Sequence, residues 1–132
     1  MQIRRIAAIL AASMTLSLNA WAQQVIASAA SPGKVLDVEV QVDGGGKLAY
    51  AIKRNGKEVI GLSRLGFNLA NAPKLDGGFT LLRQAATDVD ATWEQPWGER
   101  QFVRNHYREL RVEVEQKNRN KRRLAVVFRI YD

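Results

Sequence analysis

The chain has 132 residues, of which 46% are hydrophobic and none is cysteine, and its formal net charge is +7. This length allows one globular domain with a buried core and excludes a second full-sized domain. Without cysteine, a disulfide framework, thiolate catalysis and cysteine-based redox chemistry are excluded.

Residues 1–22 have the features of a secretory signal peptide. Arg4 and Arg5 form a charged region, an apolar run covers residues 6–18, and residues 20–22 fit an A-x-A cleavage site. The run is shorter than the roughly 20 apolar residues that a membrane span needs, so export with cleavage is preferred over retention as an anchor. We expect a periplasmic or secreted protein without a membrane anchor after cleavage.

Residues 23–34 are rich in alanine and serine and end in Ser31-Pro32-Gly33, a composition that predicts a flexible leader. A single domain is predicted over residues 35–132. Its first strand shows the strict alternation of a strand with one buried face, with Leu36, Val38, Val40 and Val42 as the apolar set.

Turn residues divide the next part of the chain into short strands. Three glycines at residues 44–46 end the first strand, and Asn55-Gly56 is the pair best suited to a type I′ hairpin turn. Between these turns, Leu48, Tyr50 and Ile52 are expected to point inward. Further strand-like runs occupy residues 65–69 and 79–82, separated by Pro73 and a turn at residues 76–78.

The last part of the chain predicts a β-hairpin. Leu110, Val112 and Val114 alternate with charged residues, as do Leu124, Val126, Phe128 and Ile130 with their neighbours, and residues 116–122 join the two runs. Opposite charges are available to pair across the exposed face of this hairpin. Since no segment of the mature chain keeps a helical period, the fold class is all-β, an antiparallel β-sandwich.

The final strand runs to Tyr131 and Asp132 without a turn or polar tail. A sandwich that ends in this way has an unprotected strand edge. We therefore expect further chain to complete the sandwich, and self-association of the chain on its own.

Residues 93–107 differ in composition from the alternating strands around them. Trp97 lies between Pro96 and Gly98, which predicts a turn that presents the indole to a pyranose ring. The alternative is a core tryptophan that fills one end of the sandwich. Trp93 is expected in the core.

Four polar and aromatic residues follow, from residue 104 to residue 107. In an extended strand, Arg104 and His106 share one face, while Asn105 and Tyr107 share the other. Their donors and acceptors suit sugar hydroxyl groups; alternatively, Tyr107 is a core residue and Asn105 holds a loop by bonding to backbone. A lone histidine without cysteine does not predict a transition-metal site.

Two glutamates, Glu94 and Glu99, form the carboxylate pair near this cluster. Paired carboxylates perform glycoside hydrolysis, but the spacing across a turn does not fix their separation. We expect Glu99 to pair with Arg100 or Arg104. The basic cluster at residues 117–123 predicts a solvated turn, with binding of a polyanion as the alternative.

The chain resembles the N-terminal domain of glycoside hydrolase family 97, a family of α-glucosidases and α-galactosidases. The resemblance rests on Trp93, on Pro96-Trp97-Gly98-Glu99 and on Arg104-Asn105-His106-Tyr107, and extends over essentially the whole mature chain. It implies part of a β-super-sandwich, galactose-mutarotase-like in fold, that packs on a catalytic (β/α)₈ barrel. It also implies calcium in the full-length enzyme.

No catalytic residue and no metal ligand of the family falls on a position of this sequence, so the chain is expected to be inactive alone and to carry no cofactor. Its expected ligand is an α-glucoside or α-galactoside oligosaccharide, with no nucleic-acid partner. The candidate binding residues are Trp97, Glu99, Arg104, Asn105 and His106. Alternatives are a self-standing exported carbohydrate-binding module and a basic surface-binding protein.

Overall fold

Two antiparallel sheets form the fold in the computed structural model, which describes residues 23–118 and 120–132. The first sheet contains β1 (Gln24–Ala30), β2 (Leu36–Val42), β3 (Leu48–Arg54) and β4 (Lys57–Leu65), in that order. The second contains β5 (Phe79–Glu94), β6 (Phe102–Gln116) and β7 (Arg123–Ile130), also in order. The all-β prediction is confirmed. The predicted signal peptide, residues 1–22, lies outside the described residues.

One hydrophobic core lies between the two sheets. Its fully buried side chains come from the alternating positions of both sheets, among them Val40, Leu48, Leu110, Val112 and Val114. At the edge of the core, the rings of Tyr50 and Phe128 meet across the sheets with their centroids 5.7 Å apart. The face-to-face sandwich predicted from the alternation is therefore confirmed.

The predicted flexible leader is wrong. Gln24–Ala30 forms β1, which pairs with β2 so that Ala29 lies opposite Val38, and Ala27 is buried in the core. Small side chains were taken as a sign of a linker, but alternate ones pack against the core once β2 supplies the hydrogen bonds. The following turn is closed by Ser31, whose hydroxyl oxygen accepts hydrogen bonds from the N–H groups of Val35 and Leu36, both at 3.1 Å.

Two turns confirm the glycine patterns. The two-residue loop between β3 and β4 has positive φ at both Asn55 (49°) and Gly56 (77°), as a type I′ turn requires. The turn at residues 44–46 is held by Asp43, whose carboxylate accepts hydrogen bonds from the N–H groups of Gly45 and Lys47, both at 2.9 Å.

The strand predicted at residues 65–69 is not formed. β4 ends at Leu65, and Phe67 makes a single bridge to Leu75 through two reciprocal backbone hydrogen bonds of 2.9 Å. The loop is fixed instead by Arg122, which donates to the carbonyl groups of residues 73 and 74, each at 2.8 Å. A solvated turn is thus the wrong interpretation for Arg122, because its guanidinium holds a loop of the first sheet.

The exposed face of the β6–β7 hairpin carries the predicted ion pairs. Arg129 donates to Glu109 at 3.1 Å and Arg123 to Glu115 at 3.0 Å, each pair directly opposite in the register. Among the described residues, no helix has the length and apolar character to cross a membrane.

Candidate functional site

The β5–β6 hairpin extends beyond the rest of the second sheet. β6 pairs with β5 along its whole length, whereas β7 pairs with β6 only between Arg108 and Glu115. Residues 88–108 therefore form a two-stranded arm, closed by a turn at residues 95–101 and called here the projecting ribbon. It contains the stretch that the sequence singled out.

The core-facing side of β6 becomes polar along the ribbon. Arg108, His106 and Arg104 continue the face that carries the buried Leu110 and Val112, because alternate residues of a strand share a face. The inner face of the ribbon is thus a continuation of the core surface past the end of the apolar residues.

Two bidentate ion pairs cross this inner face and form an ion-pair ladder. Arg104 donates from Nε and Nη2 to the two carboxylate oxygens of Asp90, each at 2.7 Å. Arg108 donates in the same way to Asp88, again at 2.7 Å for both bonds. The expectation that Glu99 pairs with Arg104 is wrong, since the register brings Asp90 to that arginine.

Charge and hydrogen bonding shift the titration of one pair of the ladder. The hydrogen bond from Arg104 lowers the pKa of Asp90, and the positive charges of Arg104 and of a protonated His106 act in the same direction. The same hydrogen bond raises the pKa of Arg104. Since the pair is exposed, it orients the two side chains more than it stabilises the fold.

The tip and the strand ends of the ribbon expose aromatic side chains. Trp97 is 83% exposed in the turn, Phe102 is 60% exposed and Trp93 is 50% exposed. A core position for Trp93, and the core alternative for Trp97, are both wrong. The reason is that the ribbon extends past the opposing sheet, and burial of an indole needs a surface opposite it.

The turn itself is ordered by glutamine side chains. The N–H of Gln95 donates to the carbonyl of Gln101 at 2.9 Å, and the Gln95 side chain donates to the carbonyl of Arg100. Gln101 in turn donates to the carboxylate of Glu94 at 2.7 Å. These bonds occupy Glu94 and hold the loop that carries Trp97.

The outer face of the ribbon holds a compact aromatic contact. Tyr107 is only 7% exposed, because Tyr131 covers it at 5.1 Å between ring centroids and the guanidinium of Arg129 lies 5.5 Å from its ring. The hydroxyl of Tyr131 donates to Oδ1 of Asn105 at 3.1 Å. The alternative of a buried Tyr107 is confirmed, and Asn105 bonds to a side chain rather than to backbone.

The five sequence-predicted binding residues fall into three groups. Arg104 and His106 share the inner face, Asn105 lies on the outer face, and Trp97 and Glu99 lie in the exposed turn. Only Arg104 and His106 are brought together as the sequence predicted. Two cavities of about 500 Å³ lie elsewhere, one beside the turn at residues 44–46 and one lined by Lys53 and Arg108 among others.

Sequence reasoning missed three acidic residues near the inner face. Asp88 and Asp90 were noted only as alternating residues, and their partners become visible once the β5–β6 register is known. The side chain of Asp132 accepts hydrogen bonds from the N–H of Gly33, at 2.7 and 3.0 Å. A hydrogen bond with Ser31, followed by that from Gly33, lowers the pKa of Asp132, to which the charge of His106 also contributes.

The described residues do not fit a metal centre. In residues 23–118 and 120–132, no three His, Cys, Asp or Glu side chains form a group that would hold a metal ion. Calcium takes six to eight oxygen ligands. The carboxylates of the ion-pair ladder are instead occupied by arginine, so they do not supply such a site.

Comparison with known proteins places this geometry in a family. The sequence model described as glycosyl-hydrolase 97 N-terminal matches residues 29–132. A glycoside hydrolase family 97 enzyme from Pseudoalteromonas sp. strain K8 has been solved in complex with panose and with acarbose. Both structures are 26% identical to this chain at a TM-score of 0.74, over 80% of this chain and 16% of theirs.

A β-arabinopyranosidase crystal structure shares the fold, with 24% identity and a TM-score of 0.70 over 81% of this chain and 17% of that chain. The chain therefore spans about a sixth of the length of the structures that it matches.

Proposed function

The chain belongs to the glycosyl-hydrolase 97 N-terminal family, and from this membership we propose that it is the non-catalytic β-sandwich of an exported family 97 α-glycosidase. In that role the sandwich supports a catalytic barrel, and its projecting ribbon contributes to an oligosaccharide pocket. The complexes of a matched family 97 enzyme with panose and acarbose support a carbohydrate ligand.

The observation that carries the proposal is the exposure of the projecting ribbon. It leaves Trp93, Trp97 and Phe102 in solvent, where they add little to the stability of the sandwich. Large exposed aromatic groups beside polar ones are typical of binding surfaces. A pyranose ring stacks on an indole face, so Trp97 is the first candidate contact.

Arg104 has the geometry of a fixed donor. Its Nε and Nη2 atoms are occupied by Asp90, which leaves the N–H groups of Nη1 directed away from the carboxylate. A guanidinium held in this way loses little further conformational freedom when it donates to a sugar hydroxyl. His106, on the same face, supplies a further donor or acceptor.

A supporting role agrees with the state of the carboxylates. Glycoside hydrolysis requires two carboxyl groups at a defined separation, one of which is protonated to act as the acid. The pKa of Asp90 is lowered by Arg104, which is opposite to the shift that a general acid needs. In this proposal the catalytic acid, the base or nucleophile and the calcium of the full enzyme belong to other parts of it.

Binding of panose by residues 23–132 tests the proposal. We expect the indole of Trp97 to respond in NMR or fluorescence titrations, and Trp97→Ala to weaken binding about tenfold, a change of about 1.4 kcal/mol. Val59→Ala, an equally exposed change on β4, is the control and should leave the affinity unchanged. Equal affinities for Trp97→Ala and the unchanged chain would contradict the role of the ribbon.

The coding DNA after the codon of Asp132 separates the two sugar-binding hypotheses. An open frame that encodes more sandwich and a barrel would support the supporting domain. A stop codon there in related genomes would favour a self-standing carbohydrate-binding module. Salt-sensitive retention on heparin without sugar binding would instead favour a basic surface-binding protein.

A further inference from the structure

The second sheet ends in a long strand edge. β5 has 16 residues, Phe79–Glu94, and pairs with β6 along one side. The sheet order is β5-β6-β7, and within the described part of the chain no strand pairs with the other side of β5. An edge of this kind presents a row of unpaired N–H and C=O groups to any chain that pairs with it.

The hydrogen bonds of β6 identify the residues that present these groups. The N–H of Gln116 donates to the carbonyl of Arg122, so the even-numbered residues of β6 face β7 and the odd-numbered ones face β5. Thr87 lies opposite Glu109, and odd-numbered residues of this part of β5 therefore face β6. The open backbone groups belong to the even-numbered residues between 84 and 90.

This edge lacks the features that normally prevent pairing. Such features are lysine, proline, inward charges and bulges. Residues 83–91 contain no lysine or proline and one basic residue, Arg83, and the bulge of β5 lies before this segment, between Leu81 and Arg83. Asp88 and Asp90 are each neutralised by an arginine of the ion-pair ladder. Little charge repulsion remains between two copies of the edge.

We propose that β5 pairs in antiparallel fashion with β5 of a second copy of the chain, about a two-fold axis at Thr87. The two three-stranded sheets then become one continuous sheet. In this register the facing pairs are Ala85 with Val89, Gln84 with Asp90, and Ala86 with Asp88, while Thr87 meets its counterpart. This proposal is independent of the proposed sugar-binding function.

The register is selected by charge and side-chain size. Centred on Thr87, it places an amide or a methyl group opposite each aspartate, and a Thr–Thr pair is favourable on an exposed sheet face. A register centred on Val89 would instead place Asp88 opposite Asp90 of the second copy, with two like charges directly facing. An isologous contact of this type closes as a dimer rather than continuing as a fibre.

Sedimentation equilibrium of residues 23–132, which contain all the described strands, tests the dimer. The mean mass should rise with concentration from one chain to two. Thr87→Lys places two ammonium groups opposite each other at the axis and should keep the chain monomeric. Val127→Lys is the matched control, because Val127 is an exposed outer-face residue of β7, the other edge of the sheet; it should dimerise like the unchanged chain.

A disulfide experiment tests the register. The chain has no cysteine, so Thr87→Cys introduces a single thiol. Thr87 directs its backbone toward β6, which makes the Thr87 pair a non-hydrogen-bonded one with Cβ atoms about 4.5–5.5 Å apart. Mild oxidation should therefore link Thr87→Cys chains into dimers and leave Val127→Cys monomeric. A monomer at every concentration, or equal cross-linking at both positions, would overturn the proposal.

Discussion

The backbone N–H of Phe79 donates to the carbonyl of Gly46 at 2.9 Å and joins the first residue of the second sheet to a turn of the first sheet. Gly46 has φ of 70°, and a Cβ atom built on it would lie 2.5 Å from the nitrogen of Phe79. Neither the conformation nor the space at this position accepts a side chain. The contact fixes how the two sheets meet at one end of the core.

Replacing this glycine should destabilise the sandwich more than replacing a glycine of equal φ in open space. Gly46→Ala combines a left-handed conformation, about 1–2 kcal/mol, with overpacking against backbone, about 1–3 kcal/mol. Gly56→Ala has φ of 77° but nothing within 4 Å, so only the first cost applies. Urea unfolding measures both free energies of unfolding, and losses that agree within about 0.5 kcal/mol would show that the close approach does not matter.

Neighbouring arginines should differ in their effect on stability. Arg122 donates to two loop carbonyls and, at 2.9 Å, to the side chain of the buried Gln116, so Arg122→Ala should cost about 2–3 kcal/mol at roughly 1 kcal/mol per bond. Arg123→Ala loses one exposed ion pair, worth at most about 1 kcal/mol. Hydrogen exchange at the amides of Phe67 and Leu75 should increase in Arg122→Ala alone; unchanged exchange there would contradict a loop-holding role.

The contact between Asp132 and the turn at residues 31–34 should depend on pH. Hydrogen bonds from Ser31 and Gly33 lower the folded-state pKa of Asp132, so its contribution to stability is present above the unfolded value, near pH 4. It is lost as the pH falls through the lowered folded-state pKa. Asp132→Asn should therefore be less stable than the unchanged chain at pH 7, and the difference should shrink below about pH 4. Glu99→Gln in the exposed turn serves as control, and a pH-independent difference for Asp132→Asn would refute the linkage.

The isolated chain should not hydrolyse glycosides. We expect no release of nitrophenol from aryl α-glucosides or α-galactosides by residues 23–132, because the ribbon carboxylates are bound by arginine or glutamine donors. Turnover above background from the purified chain, lost in an Asp90→Asn variant, would contradict the supporting role.

Local patterns in the sequence predicted much of the sandwich. Alternation identified the buried faces of β2 and β6, and the Asn55-Gly56 pair identified the hairpin turn, because both depend only on neighbouring residues. The ion pair of Arg129 with Glu109 followed from the same alternation once a hairpin was assumed.

The features that the sequence did not reveal depend on contacts between distant residues. The alanine-rich β1 becomes a strand only when β2 pairs with it, and Ala27 is buried only because a second sheet lies opposite. The exposure of Trp93 and Trp97 depends on how far β5 and β6 extend past β7, which no local pattern records. Hydrophobicity alone therefore placed these tryptophans in the wrong environment.

This extension predicts that binding and stability are separable in the ribbon. Leu110 is fully buried, and Leu110→Ala should cost about 2–5 kcal/mol. Trp97→Ala removes a side chain that is 83% exposed and should change the free energy of unfolding by no more than about 0.5 kcal/mol, while it weakens panose binding. Chemical denaturation and a panose titration of the same variants measure the two effects. If Trp97→Ala unfolded the sandwich as Leu110→Ala does, the ribbon would be part of the stabilising core and its exposure would not indicate a binding role.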